Sequence, residues 1–150
     1  MNLEFKLVAH NSKAYDETIK LRDMILRKPL GLQFTAKQLA AEKEQCHLAA
    51  YNNNELVACL VLVPMDDGTI KMRQVAVAKK HQRKGLGLRL VAESERWARE
   101  KGFILMHCNA RDVAVAFYEK MGYKRVGEMF TEVTIDHWRM EKRLIGFSAE

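Results

Sequence analysis

An α+β fold built on a mixed sheet is what this 150-residue sequence predicts, and three observations carry it. Three β-prone runs between residues 46 and 77 are separated only by turn residues, which makes a meander. The third run leads through a basic loop into an amphipathic helix and then another strand, the order of a parallel crossover. In that helix Leu86, Leu90, Val91, Trp97 and Ala98 recur at helical spacing.

Taken in order, Leu3 to Ala9 alternates as a first strand with Leu3, Phe5 and Leu7 on one side. Asn11 and Ser12 can cap a helix that carries Asp16 and Glu17 in its first turn and turns Ile19, Leu21, Met24 and Ile25 to the core. Pro29 with Gly31 ends it, and a second helix follows Thr35, from Lys37 to about Glu44. Cys46 to Tyr51 and Glu55 to Val63 flank Asn52-Asn53-Asn54, residues that tolerate left-handed backbone, so the pair reads as a hairpin. Asp66-Asp67-Gly68 turns into the strand Ile70 to Val77. The long helix from Gly85 closes at Lys101-Gly102, and Phe103 to His107 is a short buried strand. A helix from about Asp112 to Met121 ends at Gly122, after which Tyr123 to Val126 and Glu132 to Leu144 complete the sheet.

One domain, 1–150, is the simplest organisation, large enough to bury about two thirds of its unfolded surface. Hydrophobic residues at 48% and charged residues at 29% lie in the ordinary globular range, so no metal or disulfide staple is required. Cys46, Cys59 and Cys108 are odd in number and widely spaced, against both a disulfide framework and a zinc motif; they are expected to pack as small apolar residues. The N-terminus lacks a basic start with an apolar run behind it, and no apolar run approaches a membrane span. A cytoplasmic location without membrane contact is the expectation.

Charge is concentrated in one place. Lys71, Arg73, Lys79, Lys80, Arg83, Lys84 and Arg89 fall in a stretch free of Asp and Glu; without them the chain carries 18 basic against 19 acidic residues. The net charge of +6 is therefore local, which favours a pyrophosphate-sized ligand over a polyanionic partner. Gly85 and Gly87 open a helix whose first N–H groups are natural ligands for phosphate oxygens. Neither the dinucleotide fingerprint nor a P-loop fits, since Leu90 stands where a third glycine belongs and no Gly-Lys-Ser/Thr follows.

Gln82-Arg83-Lys84-Gly85-Leu86-Gly87 resembles the Gln/Arg-x-x-Gly-x-Gly/Ala signature of the GNAT acyltransferase superfamily. Ala116-Phe117-Tyr118-Glu119-Lys120-Met121-Gly122-Tyr123 is similar to its Phe-Tyr-Glu-Lys-Leu-Gly-Phe block, and Ile135-Asp136-His137-Trp138-Arg139-Met140 resembles the Ile-Pro-His-x-x-Met ending of a bacterial subgroup. The resemblance covers the second half of the chain. It implies a GNAT fold, a central mixed, mostly antiparallel sheet of six or seven strands flanked by about four helices, with which the element order agrees.

It also implies acetyl-CoA as co-substrate, no metal, and a primary amine of a small molecule or peptide as acceptor. The pyrophosphate would lie on the N–H groups around Gln82, Arg83, Lys84, Gly85, Leu86, Gly87 and Leu88, and the pantetheine would pair with the backbone of Val75, Ala76 and Val77 after a bulge. Tyr118 takes the position of the general acid. Where many members have an asparagine seven residues earlier this chain has Arg111, so Asn109 is the candidate for that contact. The central strand has no carboxylate, which leaves His107 and His137 as candidate bases, acting directly or through water. Acceptor choice falls to the loops at 28–45 and 127–137, where Glu44, Glu128, Glu132 and Asp136, with Asp66 and Asp67 elsewhere, are carboxylates expected to be mostly solvated. A homodimer through the C-terminal strands is usual in similar proteins. The competing readings are a coenzyme A sensor without turnover and a small nucleic-acid-binding domain using the basic run.

Overall fold

The structure is a computed structural model and describes residues 1–144. Its strands are β1 Leu3–Val8, β2 Cys46–Asn52, β3 Glu55–Pro64, β4 Thr69–Val77, β5 Leu105–Arg111, β6 Lys124–Glu132 and β7 Ile135–Arg143. The α-helices among the described residues are α1 Lys13–Arg22, α2 Ala36–Ala41, α3 Leu86–Glu100 and α4 Val115–Glu119. The strands form one mixed sheet in the order β1-β2-β3-β4-β5-β7-β6, with the strand number that the resemblance implies. Contacts divide the chain into two units, one of Met1–Val63 and Arg73–Ser94, the other of Pro64–Met72 with the chain from Glu95 onward.

In the first unit, β1 pairs antiparallel with β2, and Asn53 and Asn54 (φ 50° and 69°) make the two-residue turn into β3. Both adopt the left-handed backbone that such hairpins demand and that asparagine tolerates. Residues Val57 to Leu62 of β3 are all buried. Ser12 caps α1 by accepting from the Tyr15 N–H at 3.0 Å. Leu21 and Ile25 pack toward the core as expected, but the fully buried face of that helix is not the expected aliphatic one. Tyr15, Thr18 and Arg22 are enclosed while Met24 is 61% exposed, because the Arg22 guanidinium finds a buried partner. Leu7 likewise points outward: the cluster of Ala49, Tyr51, Cys59 and Ala76 is covered by Val8, Leu21, Ile25, Leu26 and Leu56 instead. A π-helical turn and a 3₁₀ turn extend α1 to Gly31 (φ 70°), the stop expected from Pro29 and Gly31. Thr35 and Gln38 exchange side-chain bonds of 3.1 and 3.0 Å as a capping box on α2, which a 3₁₀ turn, Glu42–Glu44, follows.

In the second unit, Thr69–Lys71 of β4 pairs parallel with Leu105–His107, and β4 continues to Val77 past the last of these pairs. β5 starts later and runs further than the predicted Phe103–His107. Its antiparallel register with β7 holds from Leu105↔Arg143 to Arg111↔His137, so polar Asn109 and Arg111 are strand residues. β6 is likewise longer than expected and slips register between Val126 and Phe130 at Gly127 (φ 78°). The last helix is shorter, a 3₁₀ turn Asp112–Ala114 and then α4 to Glu119, after which a turn reaches left-handed Gly122 (φ 94°). Glu95 binds this unit together, accepting from Tyr123 Oη at 2.7 Å and Lys142 Nζ at 2.9 Å. Cys59 and Cys108 are buried free thiols, as expected; Cys46 is half-buried.

Candidate functional site

The glycine loop begins at an interruption in β4. Gln74 has φ 53°, a left-handed residue inside a strand, and Arg22 Nη1 donates to its Oε1 at 2.7 Å. Val75, Ala76 and Val77 follow, with Ala76 buried and the two valines half-buried. The Ala78 N–H donates to the Val57 carbonyl at 2.9 Å, and a 3₁₀ turn, Lys79–His81, leads outward. Gln82 Nε2 donates to the Val77 carbonyl at 3.0 Å, so this side chain braces the loop against the strand end.

From there φ alternates in sign: Arg83 has φ 65°, Lys84 is ordinary and Gly85 has φ 79°. Backbone of alternating hand is the form in which successive N–H groups converge on an anion. No heavy atom lies within 4 Å of the place where a Cβ on Gly85 would stand, so the glycine answers to backbone conformation and borders open space. The first helical bond runs from Arg89 N–H to the Gly85 carbonyl at 3.1 Å, leaving the N–H groups of Leu86, Gly87 and Leu88 within the unpaired first turn of a 15-residue helix. Arg83 and Lys84 are exposed and make no ion pair among the described residues, whereas Lys80 is paired with Glu55 at 2.9 Å. Free cationic side chains, a left-handed glycine and open helix N–H groups fit a pyrophosphate.

In the second unit, Tyr118 sits on α4 with 8% exposure, edge-on to Phe117 at 5.0 Å and to Tyr123 at 5.6 Å. Its hydroxyl has no hydrogen-bond partner among the described residues. Burial, with a smaller push from Cys108, raises its pKa well above the ordinary tyrosine value, so the phenol keeps its proton. The same dry surroundings push the Cys108 thiol up to about 12.

His107 is the third residue of β5, not its end, flanked in register by Lys71 and Glu141. Burial first, then the charges of Arg139 and Lys71, hold its pKa below the usual histidine range, so it is neutral at pH 7; its enclosed Nδ1 has no partner among the described residues. His137 stacks on Phe130 at 5.8 Å, donates from Nδ1 to the Ile135 carbonyl at 2.8 Å and places Nε2 3.9 Å from Glu132 Oε1. Asn109 is half-buried on β5 opposite Arg139.

One further constellation has no signature in apolar periodicity. Glu42 is nearly enclosed and accepts from Tyr15 Oη at 2.7 Å, Arg22 at 2.8 and 2.9 Å and Arg73 at 3.2 Å. Burial opposes its ionisation, but the hydrogen bonds from Arg22 and Tyr15 and the charges of Arg22 and Arg73 outweigh it and hold the carboxyl below the usual range. The available signal was the polar stripe Tyr15, Thr18, Arg22 at helical spacing, which a search for apolar periodicity skips. Among the described residues no group of His, Cys, Asp and Glu is arranged to hold a metal, and no helix is long and apolar enough to cross a membrane.

Residues 11–123 match the profile of the acetyltransferase (GNAT) family. An uncharacterised N-acetyltransferase of Bacillus subtilis, YjcF, is 28% identical over 140 residues, 91% of this chain and 97% of that protein. Among solved structures, an aminoglycoside 6′-N-acetyltransferase complexed with coenzyme A superposes with a TM-score of 0.80 at 17% identity, over 97% of this chain and 99% of the other. An acyl-CoA N-acyltransferase from Pseudomonas aeruginosa gives a TM-score of 0.79 at 19% identity, over 94% and 99%.

Proposed function

The chain belongs to the acetyltransferase (GNAT) family, and on that premise we propose that it transfers the acetyl group of acetyl-CoA directly to a primary amine of a small molecule or peptide, with Tyr118 as general acid. One observation carries the reading: the loop Gln82 to Gly85 presents uncommitted Arg83 and Lys84 beside a left-handed glycine at the start of a long helix. The coenzyme A seen with a structural neighbour supports the same co-substrate. The family profile runs through parts of both units, which supports treating 1–150 as one domain. A cytoplasmic homodimer is the setting the family resemblance suggests.

When bound, the co-substrate supplies an acetyl thioester. In our reading the loop and first-turn N–H groups from Arg83 to Leu88 hold its pyrophosphate, Val75, Ala76 and Val77 offer backbone to the pantetheine, and Asn109 contacts that arm. Tyr118 Oη gives its proton to the departing sulfur. A phenol with so high a pKa is a reluctant donor in water. Burial also pushes the nearby Cys108 thiol up, and a sulfur anion left in such dry surroundings would be disfavoured in the same direction, which favours its protonation.

Coenzyme A is expected to raise the melting temperature, and Gly85→Val to abolish that rise while the apo protein still melts cooperatively. An equal shift in the variant places the site elsewhere. The acceptor ammonium loses its proton through His107 or His137, both of which can present a lone pair. Activity of His107→Ala and His137→Ala is expected to fall most below pH 8 and to recover as the pH rises and free amine becomes available. Unchanged pH profiles of kcat/KM in both variants and in the double variant remove the histidine route. A coenzyme A sensor is distinguished by the same thermal shift without thiol release for any amine.

A further inference from the structure

We propose that Arg73 recognises an oxyanion, a carboxylate or a phosphate, carried by the acceptor amine; this rests on the acetyltransferase reading for the word acceptor but on the network around Glu42 for the charge. That network has its positive members in excess. Glu42 Oε1 accepts from Tyr15 Oη and Arg22 Nη2, and Oε2 accepts from Arg22 Nη1 and Arg73 Nη1. A carboxylate has about four lone-pair sites, so this one has nothing left to offer an ammonium. Two guanidinium groups face one carboxylate, and Arg27 lies over the Phe34 ring at 4.5 Å, the ring that Arg22 also covers at 5.2 Å.

Arg22 is fully enclosed, whereas the Arg73 side chain is 32% exposed. Its Nη1 is shared between Glu42 at 3.2 Å and Gln45 Oε1 at 3.1 Å, while Nε and Nη2 take no partner among the described residues. One nitrogen fixes the head and the other edge of the fork stays open, which is a preorganised receptor for a planar or tetrahedral oxyanion. Its anchors, Glu42 and Gln45, both lie in the 28–45 segment to which the family resemblance assigns acceptor choice. Polyamines and aminoglycosides would bring positive charge to positive charge there.

The test compares matched amines by thiol release from acetyl-CoA: glycine against glycinamide, and phosphoethanolamine against ethanolamine, with spermidine as the polycation. In the wild type the anionic member is expected to have the higher kcat/KM by about 10-fold or more, the scale of one charge-assisted pair, carried mainly by KM. Arg73→Gln is expected to collapse that ratio toward one and Arg73→Lys to restore part of it. Because Arg73→Gln touches a buried network, its fold is checked by the coenzyme A thermal shift. With coenzyme A saturating its own site, the same matched pairs are also ranked by melting-temperature shift. If no amine is acetylated but glycine and phosphoethanolamine still shift the wild type and not Arg73→Gln, the oxyanion site stands and the acetyltransferase reading fails. Equal kcat/KM for charged and neutral members, a preference for spermidine, or a preference that survives Arg73→Gln overturns the proposal.

Discussion

Tyr118→Phe is expected to lower kcat by about 10²-fold or more, the usual scale for a positioned general acid, with the coenzyme A thermal shift unchanged. The substitution deletes one oxygen that has no hydrogen-bond partner among the described residues and keeps the ring that packs on Phe117 and Tyr123, so it leaves no newly orphaned group and the fold should survive. The loss should be constant across neutral pH, because burial keeps the phenol protonated well beyond that range. Single-turnover acetylation at saturating acetyl-CoA, followed by thiol release, isolates the chemical step. A wild-type rate there takes Tyr118 out of the mechanism, and a rate lost together with the thermal shift would mean that it serves binding.

Most of the topology was legible because it depends on local chemistry. The turn at Asn53 and Asn54, the stop at Gly31, the cap at Ser12 and the register of Leu86, Leu90 and Val91 each follow from one or two residues whose conformational or burial preference is strong. Strand ends were not legible where pairing decides them. Asn109 and Arg111 look like loop residues, yet β7 supplies partners through Arg111↔His137 and extends β5 over them. The site divides in the same way. Glycine in the loop announces left-handed backbone at Gly85, but nothing in its side chain announces the same at Arg83 or Gln74. Gln74 in particular is tied by Arg22, 52 positions away, and Glu42 meets Arg22 across 20. Such pairings have no signature in periodicity.

Arg22→Ala is expected to cost about 3–5 kcal/mol of folding stability, a large share of what an ordinary domain has, because it strands a buried carboxylate. Glu42 would keep Tyr15 and Arg73, but the bidentate partner that carries most of its ionised state would be gone, and left-handed Gln74 would lose the donor to its side chain. Replacing the pair together, Arg22→Met with Glu42→Leu, should cost less than Arg22→Ala alone, since no charge is then left buried without its partner. The pH dependence has a definite sign. The folded carboxyl of Glu42 titrates below its ordinary value of 4.5, so this stabilisation is complete above that value and is lost as the pH falls through the folded one. Urea unfolding at pH 7 and at pH 4 measures both effects. The Arg22→Ala variant should unfold at markedly lower urea at pH 7, and the gap from wild type should narrow at pH 4. A loss below about 1 kcal/mol, or a gap that does not depend on pH, would mean that Glu42 is neutral in the folded protein and that its four donors are not charge-assisted.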